Sequence, residues 1–545
     1  MDVIEIHYAA YQRALFDFRS RVAGKHQPLL PCRGASELKG HLRTFHIVCS
    51  VEPPAIPPRA LCGDRGAGSI SPMKNRILLI TSLLPVCSLL AAAPSDAALV
   101  NWPSFRGPLS TGVAPLAQPP LTWDETNNVR WKVAVPGDGN ASPVVWGDQV
   151  FILTAIPTGK KVEPKPASET TKESPPPPTA PAASAVAGGG SGHSGGGGGG
   201  RIQVDQPDEE QRFTVISYDR ATGKIRWRQE ARTELPHEGH HKDHGYASAS
   251  PVTDGEVLIA YFGSRGLYAY DLKGTPLWKK DLGHLTTRNS FGEGSSPALH
   301  GNTVVVVWDH EGEDFIAAFD KRTGKELWRK PREESTNWTT PLVVDYEGNS
   351  QVVVNSGNKV RSYNLADGST IWEAGGQTQN AVPTPVPGHG RVYVTSGWRG
   401  GALQAITLGR TGDLTGTDAI AWSHNKNTPY VPSPLLYGDE LYFFSNNNAQ
   451  ISIFNAREGK QLVDAERLDG LFGIYASPTA AAGRVYVTGR NGAVWVLKNG
   501  PTLEILAKNK LDDGFDATPA LAGRELFLRG KKNLYALADT NASQQ

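Results

Sequence analysis

An all-β chain made of one unit repeated around a ring is what this sequence predicts, and three observations predict it. First, short period-two apolar runs alternate with Gly turns. Between Ala249 and Lys280, Asp254-Gly255, Gly263-Ser264-Arg265-Gly266 and Lys273-Gly274 divide four such runs, at 249–253, 257–262, 267–272 and 276–280. Runs of this kind read as antiparallel strands joined by hairpins. Second, a small or hydroxyl residue followed by Pro recurs at Pro143, Pro251, Pro297, Pro341, Pro385, Pro434, Pro478 and Pro519, spaced 41 to 49 residues apart after the first gap. Third, most units close on Asp or Asn, then Gly, then Trp: Asp219 to Trp227, Asp271 to Trp278, Asp320 to Trp328 and Asn364 to Trp372.

One four-stranded sheet cannot bury both of its faces, so such units need one another. The period suits a blade of four strands better than a helical repeat. The expected fold class is therefore all-β: an eight-bladed β-propeller of four-stranded antiparallel blades, closed by an N-terminal strand. Seven blades is the alternative, should the fifth unit, with its insertion at 409–418, not form a blade.

Each part of the unit has a physical reason. Pro at the first residue of a strand forfeits no ladder bond. The Asp or Asn side chain bonds the backbone ahead while Gly takes positive φ, which makes a tight turn. Trp four residues after the Gly falls on the outer strand, where its ring can fill the wedge between blades. Units six and seven lack the Trp, and Val463 and Ile505 are expected in its place. The eighth unit, 516–537, supplies three strands, and residues 128–133 with Trp131 supply the fourth. A ring closed by both ends of the chain leaves no open sheet edge.

The chain in order adds the rest. Residues 1–72 resemble nothing in the repeat and carry Cys32, Cys49 and Cys62, three of the four cysteines. The only Met besides Met1 is Met73. It is followed by a basic Lys74-Asn75-Arg76, an apolar run to Leu90, and small residues at 91–93 and 95–97. That is the layout of a secretory signal peptide, too short for a membrane span. We read 73–97 as the leader and 1–72 as an extension outside the true start, which implies a periplasmic or secreted protein. Cys87 is a weak lipidation site, because Val86 precedes it. The propeller is expected over 98–540 and a short tail over 541–545. Blade one is interrupted by a Pro- and Gly-rich insert at about 157–211, which buries too little apolar surface to fold and reads as a disordered loop. Net charge is +1 with both signs interspersed, which leaves no footprint for nucleic acid.

In a propeller every loop leading into an anchor Pro opens on one face, around the channel. These loops carry Asp138 and Asn140, then His237, Glu238, His240, His241, Asp243 and His244, then Arg288, Asn289 and Glu293. They continue with Asn337 and Trp338, Asn380, Tyr430, Tyr475 and Asp516. A convergent ring of such groups suits a small polar ligand or an extended peptide; the alternative is that they satisfy strand ends and channel water. His237, His240, His241 and His244 with Glu293 are the candidate metal ligands. Arg288, Asn289, Asn337, Trp338, Asn380, Tyr430 and Tyr475 are the candidate binding residues, and Asp516 is the candidate base. No nucleophile elbow, phosphate loop or haem-attachment motif is present.

The unit Ala318-Phe319-Asp320-Lys321-Arg322-Thr323-Gly324-Lys325-Glu326-Leu327-Trp328 resembles the repeat of pyrroloquinoline quinone (PQQ) β-propeller proteins. Trp102-Pro103-Ser104-Phe105-Arg106-Gly107-Pro108 with Ala141-Ser142-Pro143 is similar to the opening of secreted members. The resemblance implies one of two branches. Quinoprotein dehydrogenases of alcohols or sugars hold PQQ and Ca²⁺ in the funnel with a Trp, Glu and Asn ligands and an Asp base; Trp338, Glu293, Asn337 and Asp516 are of those types. Their vicinal cysteine pair is absent. The other branch resembles the propeller lipoprotein of the outer-membrane barrel assembly machine, a protein-binding scaffold. A secreted, monomeric binding or scaffold propeller is the reading we carry forward, with the PQQ- and Ca²⁺-dependent dehydrogenase as the alternative.

Overall fold

A computed structural model describes residues 95–162, 204 and 206–539. The chain divides into two units, Met1–Pro85 and Val86–Gln545, and every described residue belongs to the second. The extension 1–72, nearly all of the leader and the centre of the insert lie outside the described residues.

Eight antiparallel sheets form the ring. Blade one is Val144–Trp146, Gln149–Lys161, Glu209–Asp219 and Ile225–Glu234. Blade two is Val252–Thr253, Val257–Tyr261, Leu267–Asp271 and Pro276–Lys280. Blade eight joins Ala520–Ala522, Glu525–Arg529 and Asn533–Ala538 to the N-terminal strand Val129–Ala134, with Trp131 opposite Ala536. The fifth unit is a complete blade: Val386–Gly388, Arg391–Ser396, Ala402–Thr407 and Ile420–His424. Its insertion instead serves blade four, where Gly412–Asp413 adds a fifth, parallel strand against Trp372 and Glu373. Among the described residues no helix is long and apolar enough to cross a membrane.

The inner strands begin one residue after each anchor Pro, at Val144, Val252, Ala298, Leu342, Val386, Leu435, Thr479 and Ala520. The residue before the Pro is a hydroxyl in every unit, and it has a job. The N–H of Ser142 donates to Ser250 Oγ at 2.9 Å, that of Ser250 to Ser296 Oγ at 2.9 Å, and that of Ser296 to Thr340 Oγ1 at 3.2 Å. Thr384 continues to Ser433 at 3.0 Å, Ser433 to Ser477 at 2.9 Å, Ser477 to Thr518 at 3.0 Å, and Thr518 back to Ser142 at 3.0 Å. Only the step from Thr340 to Thr384 is open, and Thr384 Oγ1 is buried without a partner.

A second ring clasps the rim. Each outer-strand indole donates to a turn carbonyl of the next blade: Trp131 to Arg220, Trp227 to Leu272, Trp278 to Lys321, Trp328 to Leu365 and Trp422 to Ala456, all at 2.8–3.0 Å. The turn Gly lies flat against that ring. A Cβ on Gly324 (φ 67°) would meet Trp278 at 2.7 Å, so backbone conformation and the neighbouring blade both demand glycine. Trp372 breaks the series and donates to Gln351 of its own blade, because the insertion with Leu408, Leu414 and Ala419 covers it.

Two expectations need correction. In blade seven Ala507 pairs with Val496, the register that Trp328 holds opposite Ala318, while Ile505 pairs with Leu497 beyond a bulge. Ala507, not Ile505, therefore stands in the Trp place; Val463 does so in blade six as expected. The insert is also shorter than 157–211, since strand pairing continues through Lys161 and resumes at Glu209.

The N-terminal segment runs against the inner strands of several blades. Trp102 bridges to Val145 in blade one, and Pro103 accepts from Thr253 in blade two. Arg106 then donates to the carbonyls of Pro434 and Pro478 at 2.7 and 3.1 Å, and Gly112 accepts from Ala480. The segment thus crosses from blades one and two to blades six and seven. Burial lowers the Arg106 pKa to about 9, a consequence of placing a guanidinium among carbonyls with no carboxylate beside it.

Candidate functional site

Strands alternate in direction, so the hairpins joining the second and third strands of a blade open on the same face as the loops into the anchor Pro. The face therefore holds two sets of residues. The sequence reading drew on one set only; Arg265, Asp309 and Arg490 belong to the other. The two arginines sit inside Gly263-Ser264-Arg265-Gly266 and Gly489-Arg490-Asn491-Gly492; the first of these reads as a turn from its composition alone, and Asp309 carries no such local signal.

The histidine loop does not gather on one point. His237 stands with Glu238 and Glu293, their ligand atoms within 4.8 Å of one another. His240 packs edge-on against Tyr246 and His241 against Phe291. His244 accepts from the Gly245 N–H and lies 3.0 Å from Ser248 Oγ. Burial lowers the His244 pKa to about 4 and that of His241 in the same direction. Of the five candidate metal ligands only His237 and Glu293 meet; His240 borders Gln206–Glu209, His241 packs on Phe291 and His244 lies by Ser248.

The same loop spans the mouth. His241 N–H donates to the Phe291 carbonyl on one side. On the other, Asp243 receives Arg490 at 3.0 Å and Tyr475 Oη at 3.3 Å. Arg490 lies 4.3 Å over the Tyr475 ring and forms a 2.7 Å ion pair with Asp516. Burial pushes the Asp516 carboxyl up, against the pull of Arg490. Asp516 is thus half of an ion pair, and the loop from blades one and two is latched to blade seven.

The remaining candidates fall in two groups. Asn337 is buried, donates to Asp309, and receives the Thr339 N–H; Asp309 in turn holds the buried Arg332 at 2.7 and 2.9 Å. Trp338 Nε1 donates to the Gly292 carbonyl at 2.7 Å. Farther round, Arg288 donates to Asn380 Oδ1 at 3.3 Å, and Tyr430 stacks on Trp398 at 4.9 Å. Asn289 and Ser290 both sit at φ 54°, and Asn380 at φ 57°, which places three strained non-glycine residues on this arc.

Over residues 168–313 and 312–545 the chain matches the family model described as outer membrane protein assembly factor BamB. It belongs to this family of PQQ-type β-propellers. No curated protein matches the chain. Among solved structures, the quinohemoprotein alcohol dehydrogenase of Comamonas testosteroni is 10% identical with a TM-score of 0.52, covering 82% of this chain and 81% of that one. A europium-containing methanol dehydrogenase is 10% identical (TM-score 0.48, 80% and 90% covered), and BamB of Moraxella catarrhalis is 15% identical (TM-score 0.44, 60% and 93% covered). The likeness to the first is one of fold.

A PQQ-type propeller raises the question of the quinone and its Ca²⁺. The cavity beside Trp338, lined by Tyr261, Glu293, Asp309 and Asn337, measures about 20 Å³. That is room for one water, whereas organic ligands fill roughly 300 Å³ or more. Glu293 is already taken by Ser264 and Arg265, and Asn337 by Asp309. The residues present do not fit a three-ring quinone. A second cavity of about 240 Å³ lies between Gln206–Glu209 at the base of the long hairpin of blade one and His240, Lys242 and Tyr246.

Proposed function

We propose that this chain is a non-catalytic binding propeller of the cell envelope, a scaffold for an extended polypeptide or another protein. The observation that carries the reading is the latched mouth: the loop holding Asp243 crosses the channel to Arg490 and leaves about 20 Å³ beside Trp338. A dehydrogenase needs an open pocket with a free carboxylate facing the substrate hydroxyl. A scaffold needs a firm face with exposed anchors, and Phe472 stands 73% exposed on this rim, with the half-buried Trp398 and the exposed Arg399 farther round. The family description, an assembly factor of outer membrane proteins, supports the same reading. Export is supported by the leader layout that starts at Met73.

The test is a titration of the chain from about Ala98 with PQQ and Ca²⁺, followed by absorbance and melting, beside photo-crosslinking in an envelope fraction. The expected result is no ligand-linked rise in Tm, and one discrete adduct from a photoreactive residue at 472 that is missing when the label sits at 506 on an outer strand. A rise of several degrees at micromolar quinone would overturn the proposal.

A further inference from the structure

The His237, Glu238 and Glu293 cluster has the outer architecture of a metal centre. Metal-ligating imidazoles donate their second ring N–H to a backbone carbonyl or carboxylate, which fixes the tautomer and aims the free lone pair at the ion. His237 does this: Nε2 lies 2.6 Å from the Leu285 carbonyl, so Nε2 carries the proton and the Nδ1 lone pair faces the cluster. Glu293 is oriented by the Ser264 N–H and hydroxyl, both at 2.6 Å. Glu238 is oriented by the Thr287 N–H and hydroxyl, the latter at 2.5 Å. Three ligands of a type that suits a divalent ion of the zinc or manganese kind are held from outside.

The cation in their midst is a side chain. Arg265 is 3% exposed. Its Nη1 donates to Glu293 at 2.8 Å and its Nη2 to His237 Nδ1 at 3.3 Å, the atom that a metal would take. Nε lies 3.6 Å from Glu234, and the guanidinium sits over the rings of Phe213 and Tyr246. Glu238 feels both the charge of Arg265 and that of Glu293.

We propose that Arg265 is the built-in cation of a latent divalent-metal site formed by His237, Glu238 and Glu293. The guanidinium supplies the positive charge that the buried Glu238 and the partly buried Glu293 require, and it does so at any metal concentration and any pH at which the protein folds. The wild-type centre is consequently indifferent to metal supply and to chelators. Removing the guanidinium frees the His237 Nδ1 lone pair and its oxygen of Glu293 and leaves the charge of both carboxylates uncompensated, so the site becomes one that a divalent ion fills. This inference stands apart from the proposed function, since a centre of this kind would serve a scaffold or an enzyme equally.

The experiment is calorimetric titration and thermal melting of the tag-free chain with Zn²⁺ and with Mn²⁺. Wild type is expected to melt at the same temperature with EDTA or with either ion, and to show no binding that Glu293→Gln removes. Arg265→Ala is expected to melt lower, to bind one ion, and to regain several degrees on its addition; Arg265→Ala with Glu293→Gln is expected to regain none. Arg265→Gln, which keeps more of the volume, takes the place of Arg265→Ala if the latter does not fold. A wild-type site that binds one ion and loses it with Glu293→Gln would overturn the proposal. So would a folded Arg265→Ala or Arg265→Gln chain that neither ion binds or stabilises.

Discussion

The Thr518 N–H donates to Ser142 Oγ at 3.0 Å, and with that bond a ring of serine and threonine hydroxyls returns to its starting blade. The two residues are 376 positions apart, so the bond reports closure of the whole propeller. Every hydroxyl in the ring but that of Thr384 accepts the N–H of the blade before it, in a layer that is buried at each position except Thr340. Replacing Ser142 by Ala leaves the Thr518 N–H buried and unpaired, at a cost of about 1–3 kcal/mol. Thr384 offers the control, because its Oγ1 has no partner and Thr384→Val removes no bond. Denaturant unfolding of the two variants should separate them, with Ser142→Ala the less stable. Equal stability would show that the ring contributes nothing.

The Trp and Gly clasp admits a similar comparison. Gly324 and Gly301 both take positive φ, 67° and 55°, so Ala at either position incurs the same backbone strain. A Cβ at Gly301 meets nothing within 4 Å, whereas one at Gly324 lands 2.7 Å from the Trp278 ring. Gly324→Ala should therefore lower Tm by more than Gly301→Ala. It should also change the near-ultraviolet dichroism, as the Trp278 indole is pushed from the Lys321 carbonyl.

Much of this fold was legible because its signals are local. Hydroxyl-Pro, Asp-Gly and Thr-Gly turns and two-residue periodicity each depend on a few neighbouring residues, and together they placed all eight inner strands. Blade seven misled because Ile505 and Ala507 are both apolar, and one bulge between Val496 and Leu497 decides which of them faces the next blade. The candidate face was legible as a face, but its contacts were not. Asp243 and Arg490 lie 247 residues apart, and only the ring geometry brings a blade-one loop to blade seven. Arg265 escaped notice because turn composition explains Gly-Ser-Arg-Gly without reference to the carboxylates that the turn confronts.

Two buried groups, His244 and Asp314, give the fold a pH dependence of opposite signs. Burial lowers the His244 pKa to about 4, below the unfolded value of about 6.5. Between those values the unfolded chain binds the extra proton, so stability is complete above about pH 6.5 and declines as pH falls toward 4. Asp314 works the other way. Burial raises its pKa to about 6, so the native state holds the extra proton there and stability declines as pH rises from about 4 to 6. The two contributions oppose each other. His244→Gln should therefore flatten the acid-side loss of stability between pH 6.5 and 4, and Asp314→Asn should steepen it. Denaturation midpoints across that range measure both, and unchanged slopes would count against the burial of these groups.

Asp243→Asn tests the latch directly. Burial raises the Asp243 carboxyl, but the hydrogen bond and charge of Arg490 outweigh it and hold the group below its usual value. The amide keeps the shape and loses the charge, so the pair with Arg490 weakens while the fold persists. Amide hydrogen exchange over 237–245 should quicken, with the blades unaffected. The same variant should enlarge the space beside Trp338, and exchange that stays slow would mean that the His241 bond to Phe291 alone holds the loop.

The insertion of the fifth unit makes a separate claim about Trp372. Its indole is 0% exposed, yet blade five presents no turn glycine against it. The cover is Leu414, which follows the added strand Gly412–Asp413 and packs with Leu408 and Ala419. Shortening 410–417 to a tight turn removes that cover and the two ladder positions on the edge of blade four. Burying a Trp accounts for a few kcal/mol at most, so the eight blades should survive while Trp372 meets water. A Trp372→Phe chain with and without the deletion isolates its signal: the difference spectrum should shift to the red on deletion. If it does not, the neighbouring blade closes over the gap, and the insertion is dispensable for the seam between blades four and five.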